Sequence, residues 1–197
     1  MLAVLLGGTW GAARLVGWAS ARESLASFAS VSQALAPLET RSNATAAPDQ
    51  SLWDAGRIRA YARALTRAAP APLAVLRIPR LHLEVPVLEG TDEWTLDRAV
   101  GHLEGTPAPG GPGNVAIAGH RDGFFRVLKD IREGDVMELA VLGGVQRYRV
   151  ERLSVVGPDD VGVLAPTAAP TLTLVTCYPF YFVGPAPQRF IVQARGE

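Results

Sequence analysis

The sequence is poor in cysteine and histidine and has no excess of charge of either sign. Cys177 is the only cysteine in 197 residues, which excludes an intramolecular disulfide and a zinc site built from cysteines. The three histidines, His82, His102 and His120, are too scattered for a helical metal-binding motif. Because 19 basic side chains balance 19 acidic ones and no basic run occurs, no nucleic-acid partner is expected.

The chain also lacks an internal repeat, a glycine-rich phosphate-binding loop and a regular alternation of strands with helices. A repeat protein and a nucleotide-binding parallel sheet are therefore excluded. Apolar residues nevertheless make up 48% of the sequence, which is enough for a sizeable core. The length allows one domain of about 100–150 residues together with a tail or an anchor.

One long apolar segment is present, at the N-terminus. Residues 1–21 are interrupted by a single charge, Arg14, and are long enough to span a bilayer. A cleaved signal peptide is an alternative, since Ala19-Ser20-Ala21 fits a small-residue cleavage site, although no basic residue precedes the apolar run. A soluble hydrophobic helix is the third possibility. We interpret 1–21 as a membrane anchor or signal segment.

Residues 22–72 are predicted to form a stalk and a helical linker. The first part, up to residue 48, is rich in alanine, serine and threonine. Helical spacing follows in the apolar residues Ile58, Tyr61, Ala62 and Leu65, with Asp49 as a candidate N-cap. The run AAPAPL at 68–73 then interrupts the chain, so a folded domain is expected at 73–197.

Beyond residue 74 the apolar pattern changes to a period of two, which is typical of half-buried strands. Residues 81–87 alternate in this way, and His82 would then face outward. Further strands are predicted at 114–120, 135–142, 145–156, 171–177 and 189–195, and a short helix at 124–131. Glycine and proline clusters separate them. Many short strands with few helices indicate a mainly β fold, either a barrel or a sandwich.

Cys177 lies at the end of a predicted strand and is followed by an aromatic residue and a proline. A free cysteine is most often a small buried apolar residue, and that interpretation stays open. The end of a strand is also where a scaffold presents a reactive group to solvent. Cys177 is therefore a candidate nucleophile, which would need a partner to take its proton or to lower its pKa.

Two further residues have matching positions. His120 ends the predicted strand at 114–120, so adjacent strands could bring it to the same rim as Cys177. Arg189 opens the strand after Cys177 and would return to that rim if the two strands pair; a guanidinium can stabilise an oxyanion. His102, expected in a loop, is a weaker alternative to His120, and His82 is expected to be solvated or structural.

These motifs closely resemble those of the sortases, membrane-anchored cysteine transpeptidases of the bacterial surface. TLVTC at 173–177, the upstream GNVAIAGH at 113–120 and the downstream arginine keep that family's order of histidine, cysteine and arginine. LRIPRLHLEVPVLEGT at 76–91 is similar to the family's first strands, and TCYPFYFVGPAPQRFIV at 176–192 looks most like class D. The resemblance covers about 75–197 and implies a closed eight-stranded barrel.

The resemblance also implies a function. Cys177, His120 and Arg189 would cleave an LPxT-type sorting signal on a surface or pilin protein and pass it, as a thioester, to an amine of a cell-wall precursor or a pilin lysine. The enzyme would lie in the bacterial cytoplasmic membrane with the barrel outside the cytoplasm. No cofactor or metal is expected. A cysteine peptidase that delivers the thioester to water and a noncatalytic anchored β-domain remain as alternatives.

Overall fold

The computed structural model describes residues 48, 50–51, 53–68, 70–181 and 184–197, which belong to a compact unit spanning Thr45–Glu197. The apolar helix expected at 1–21 and most of the expected stalk lie outside the described residues. Within the described part of the chain, no helix has both the length and the apolar character needed to cross a membrane.

Eight strands of the described residues close into a barrel with the spatial order β1-β2-β3-β4-β7-β8-β6-β5. Neighbouring strands are antiparallel, except that β2 runs parallel to β3 and β4 runs parallel to β7. The strands are β1 Ala74–Ile78, β2 Leu83–Glu89, β3 Val100–His102, β4 Asn114–Gly119, β5 Val136–Val141, β6 Gly144–Val156, β7 Thr171–Tyr178 and β8 Gln188–Gly196. The expected mainly β fold and the closed eight-stranded barrel are confirmed, and the sandwich alternative is wrong.

The barrel interior is filled by the apolar residues of alternating positions. On β7, for example, Leu172 and Leu174 are fully buried, and on β2 Leu83, Val85 and Val87 are buried while the residues between them are half-buried. Each such side chain contributes about 1.5–3 kcal/mol through removal from water. Because side chains fill the interior, any chemistry must take place at the rim or on the outer wall.

The predicted strand at 81–87 starts later than its pattern suggested. Leu81 ends a 3-10 helix, Pro79–Leu81, and His82 follows in a left-handed conformation with φ of 51°. His82 is exposed in this turn and is not an outward-facing strand residue.

His102 was expected in a loop but is the last residue of β3, a strand too short to show a period of two.

The chain before the barrel forms helix α1, Ala55–Thr66, and a second helix, α2, Glu93–Arg98, joins β2 to β3. Asp54 caps α1, with its carboxylate accepting from the backbone N–H groups of the first turn, so the cap expected at Asp49 is wrong. Ile58 and Leu65 are 41% and 51% exposed, so the predicted apolar face of this helix is not its buried face. The short helix expected at 124–131 is a 3-10 helix, Phe124–Asp130.

Candidate active site

The strand register brings the three candidate site residues to one end of the barrel. The parallel β4 and β7 pair Gly119 with Thr176, so His120 and Cys177 are the next residue along each strand. The antiparallel β7 and β8 pair Cys177 directly with Arg189. Side chains directly opposite each other in an antiparallel pair share a face, with Cβ atoms about 5 Å apart. The register therefore places His120, Cys177 and Arg189 at one rim, as expected.

Cys177 lies on the outer wall of the barrel at this rim. Leu174 and Thr176 are buried on the opposite, interior face of β7, and side chains alternate along a strand. The Thr176 hydroxyl donates a 2.7 Å hydrogen bond to the Gly119 carbonyl, which ties the ends of β7 and β4 together. Cys177 itself is a free, half-buried thiol.

His120 lies in a pocket of charged side chains directly after β4. Its side chain is 31% exposed, and its Nε2 atom is 3.9 Å from Oδ1 of Asp97 on α2. Burial and the nearby positive charge of Arg57 lower the pKa of His120, while Asp122 and Glu93 oppose that shift. Since the unperturbed pKa of histidine is about 6.5, a lowered pKa leaves His120 uncharged at neutral pH and able to accept a proton.

Arg57 is the unexpected member of this pocket. It comes from α1, forms an ion pair with Asp97, and its Nε lies 3.8 Å from Oδ2 of Asp122. Its guanidinium also stacks over the ring of Trp53, 4.7 Å from the ring centroid, and Trp53 in turn donates a 2.6 Å hydrogen bond to the Asp122 carbonyl. In the sequence Arg57, Asp97 and Asp122 look like ordinary surface charges on separate segments, so no local pattern predicts their contact.

Arg189 is half-buried at the start of β8. Its Nη1 group donates hydrogen bonds to the backbone carbonyls of Ala186 and Gln188, at 3.3 and 3.0 Å. These contacts hold the guanidinium beside the loop that joins β7 to β8. Arginine has five N–H donors, and these two bonds use only Nη1.

Arg121 fixes the same β7–β8 loop from the histidine side. It directly follows His120 and donates to the carbonyls of Pro179 and Gly184, at 3.2 and 2.8 Å. The loop is also packed by an aromatic cluster of Tyr178, Phe180 and Phe190, whose ring centroids lie 5.3–6.2 Å apart. Arg121 thus links the turn after β4 to the loop between β7 and β8. Residues 182 and 183 lie outside the described residues.

His102 does not belong to this rim. Its ring is 5% exposed and bonded on both sides: Nδ1 is 3.1 Å from a Glu89 carboxylate oxygen, and Nε2 is 3.0 Å from the Pro107 carbonyl. This bonding identifies His102 as a structural residue that fixes the loop after β3. Among the described residues, no group of three or more histidine, cysteine or acidic side chains is arranged to hold a metal ion.

The fold and the site define a class: a small closed β-barrel that carries a thiol, an imidazole and a guanidinium at one rim. The sortase domain family model matches residues 76–197. The chain belongs to the sortase family, whose members are cysteine transpeptidases, and Cys177 is its one cysteine.

Two curated relatives are similar to part of this chain. Sortase D of Bacillus subtilis is 34% identical over 122 residues, covering 61% of this chain and 62% of that protein. Sortase SrtE1 of Streptomyces coelicolor is 31% identical over 125 residues, covering 54% of this chain and 36% of that protein. The chain thus spans less than two thirds of the length of either relative. The similarity to Sortase D supports the resemblance to class D.

Solved structures share the fold. The Clostridium perfringens Sortase D5 transpeptidase superposes with a TM-score of 0.59 at 26% identity, covering 71% of this chain and 88% of that one. Sortase A from Corynebacterium diphtheriae superposes with a TM-score of 0.61 at 30% identity, covering 85% of this chain and 83% of that one. The barrel is therefore a sortase fold.

Proposed function

We propose that this chain is a membrane-anchored cysteine transpeptidase. It cleaves an LPxT-type sorting signal near the C-terminus of a surface or pilin protein and transfers that protein to an amine of the cell envelope or of a pilin. Residues 1–21 anchor it in the bacterial cytoplasmic membrane, 22–72 form the stalk and linker, and 73–197 form the catalytic domain outside the cytoplasm. No cofactor takes part.

The single observation that carries this proposal is the strand register at the rim. It sets Cys177 opposite Arg189 on β7 and β8, and sets the end of β4, which leads into His120, beside the end of β7. A nucleophile, a proton carrier and an oxyanion donor are the three groups that acyl transfer through a thioester needs. Membership of the sortase family supports the same assignment.

In the first half of the reaction, the Cys177 sulfur attacks the carbonyl carbon of the signal's threonine and its proton passes to uncharged His120. Negative charge develops on the carbonyl oxygen, where Arg189 donates hydrogen bonds to it. When the C–N bond breaks, His120 returns the proton to the departing amine. A thioester between the substrate's threonine and Cys177 remains.

In the second half, the accepting amine attacks the thioester carbon and gives a proton to His120. The C–S bond breaks, and His120 returns that proton to the Cys177 thiolate. The lowered pKa of His120 suits both steps, because each begins with a proton moving onto an uncharged imidazole. The apolar residues around Cys177 favour the amine over water by limiting hydration of the thioester.

The test is product analysis by mass spectrometry of the purified full chain with an LPxT-type peptide, with and without triglycine. The expected result is a peptide joined to triglycine, formed by the wild type and lost in Cys177→Ala and His120→Gln. His82→Asn is the matched control, since His82 is exposed in a left-handed turn that asparagine tolerates. Cleavage by Cys177→Ala would sink the assignment.

The other outcomes separate the alternatives. If only the free acid forms with every amine tried, the chain is a cysteine peptidase and the transfer step is wrong. If no cleavage occurs and Cys177 does not react with a thiol-directed probe, the barrel is a noncatalytic anchored domain.

A further inference from the structure

The charged pocket around His120 contains a pair of residues that take no part in the proposed proton transfers. Arg57 on α1 and Asp97 on α2 form an ion pair in which their side chains are only 14% and 12% exposed. Both lie beside His120, since Asp97 Oδ1 is 3.9 Å from its Nε2 and the ring shares the pocket with the guanidinium. The pair therefore joins the helix that precedes the barrel to the histidine.

Taking charges out of water is costly, and this guanidinium is not fully compensated. The Nη2 atom of Arg57 is buried and has no hydrogen-bond partner among the described residues, although Nη1 and Nε face Asp97 and Asp122. An exposed ion pair contributes little to stability, whereas this buried pair places a fixed positive charge where it acts on His120.

We propose that Arg57 and Asp97 are positioning residues that hold the His120 ring at the rim and keep it uncharged between proton transfers. Asp97 Oδ1 lies 3.9 Å from the imidazole, and a carboxylate alone at that distance would favour the charged form of the ring. Arg57 neutralises that carboxylate and adds a positive charge of its own. This inference rests on the proposed role of His120 and extends it to α1, outside the strands that carry the rim.

The balance of charges at His120 is set by several elements. Arg57 faces it from α1, Asp97 and Glu93 from α2, and Asp122 from its own turn. Cys177 and Arg189 lie on the neighbouring strand ends. Among these charged residues on α1, on α2 and in the turn after His120, Arg57 is the cation. Removing it is therefore expected to raise the pKa of His120, whereas removing Asp97 leaves Arg57 unpaired and is expected to lower that pKa.

The experiment is an NMR titration of full-length protein labelled at the histidine Cε1 carbon, with the His120 signal assigned through His120→Gln. We expect the pKa of His120 to rise by about 0.5–1 unit in Arg57→Gln and to fall by about as much in Asp97→Asn. Arg63→Gln is the matched control, because Arg63 is exposed on the same helix. Arg57→Lys keeps the charge and should stay close to the wild type.

The sign in Asp97→Asn separates an electrostatic role from a merely structural one. If the pair only held α1 in place, its loss would open the pocket and move the pKa of His120 up toward its ordinary value in both variants. A rise or no change in Asp97→Asn overturns the proposal, as does a rise in Arg57→Lys equal to that in Arg57→Gln. The titration needs no substrate, so its outcome is independent of whether the chain transfers peptides.

Discussion

In the proposed mechanism Arg189 has the strictest geometric task, because it must donate to a carbonyl oxygen whose negative charge develops only during the reaction. The register sets it opposite Cys177, and its Nη1 group is already held by the carbonyls of Ala186 and Gln188. A planar guanidinium can keep those bonds and still present other N–H groups to an oxyanion. A lysine ammonium carries its three donors on one nitrogen and lacks this planar arrangement, so it reproduces the two sets of bonds less well.

Arg189→Lys is therefore expected to lower kcat by about 10- to 100-fold and to change KM less. The hydrogen bond that is lost, from the guanidinium to the substrate's carbonyl oxygen, forms mainly in the transition state. Steady-state kinetics with a sorting-signal peptide and triglycine measure this. Arg195→Lys is the control, because Arg195 is an exposed residue at the other end of β8, opposite Thr171. Wild-type kcat in Arg189→Lys would mean that the guanidinium does not touch the oxyanion.

The candidate residues and their surroundings differ in how far the sequence could reveal them. Cys177, His120 and Arg189 each lie at the end of a strand whose pattern is visible, and the family motif then links them. Arg57 and Asp97 could not be found in this way, because their contact forms only when α1 lies against α2. Nothing in the local sequence of either helix distinguishes a buried ion pair from a solvated charge.

The β7–β8 loop is the element that connects the site residues. It leaves Cys177 through an aromatic cluster and returns to Arg189, and Arg121 binds two of its carbonyls. These bonds anchor a segment whose described residues are mostly exposed. We expect this loop to form a wall of the substrate groove, so its rigidity should influence peptide binding more than the chemical step.

Arg121→Ala removes both anchoring hydrogen bonds and should speed amide hydrogen exchange in the β7–β8 loop. We expect KM for the peptide to rise about 3- to 10-fold with a smaller change in kcat, because ordering the loop then costs free energy on binding. Hydrogen-exchange mass spectrometry and steady-state kinetics measure the two effects, with the exposed Arg132→Ala as control. Unchanged exchange in the loop would show that the anchor is unimportant.

Sequence patterns predicted most elements but failed where the same pattern can occur in more than one structural setting. The alternation at 81–87 begins at Leu81 and His82, which belong to a 3-10 helix and the turn after it, and it follows a strand only from Leu83 onward. On α1 the helical spacing was real, yet Ile58 and Leu65 remain exposed and Ala64 is the buried residue. Periodicity shows that a helix can form, whereas the face it buries depends on the surface it meets.

For the barrel as a whole, the decisive step is pairing between strands distant in the sequence. The end of β4 meets the end of β7 only because these strands lie side by side and parallel, although β5 and β6 separate them in the chain. Alternation predicts strands but not partners, so it left a barrel and a sandwich equally open. The closed barrel could be expected only from the family motifs, which include information on pairing that the pattern lacks.

In the proposed reaction, Cys177 forms a thioester with the substrate. Intact-mass spectrometry of the full chain, quenched with acid after mixing with an LPxT-type peptide and no amine, tests it directly. We expect an adduct with the mass of the peptide up to its threonine, less one water, mapped to Cys177, absent in Cys177→Ala and discharged by triglycine. An adduct that persists in Cys177→Ala, or cleavage of the peptide without any adduct under acid quench, would contradict it.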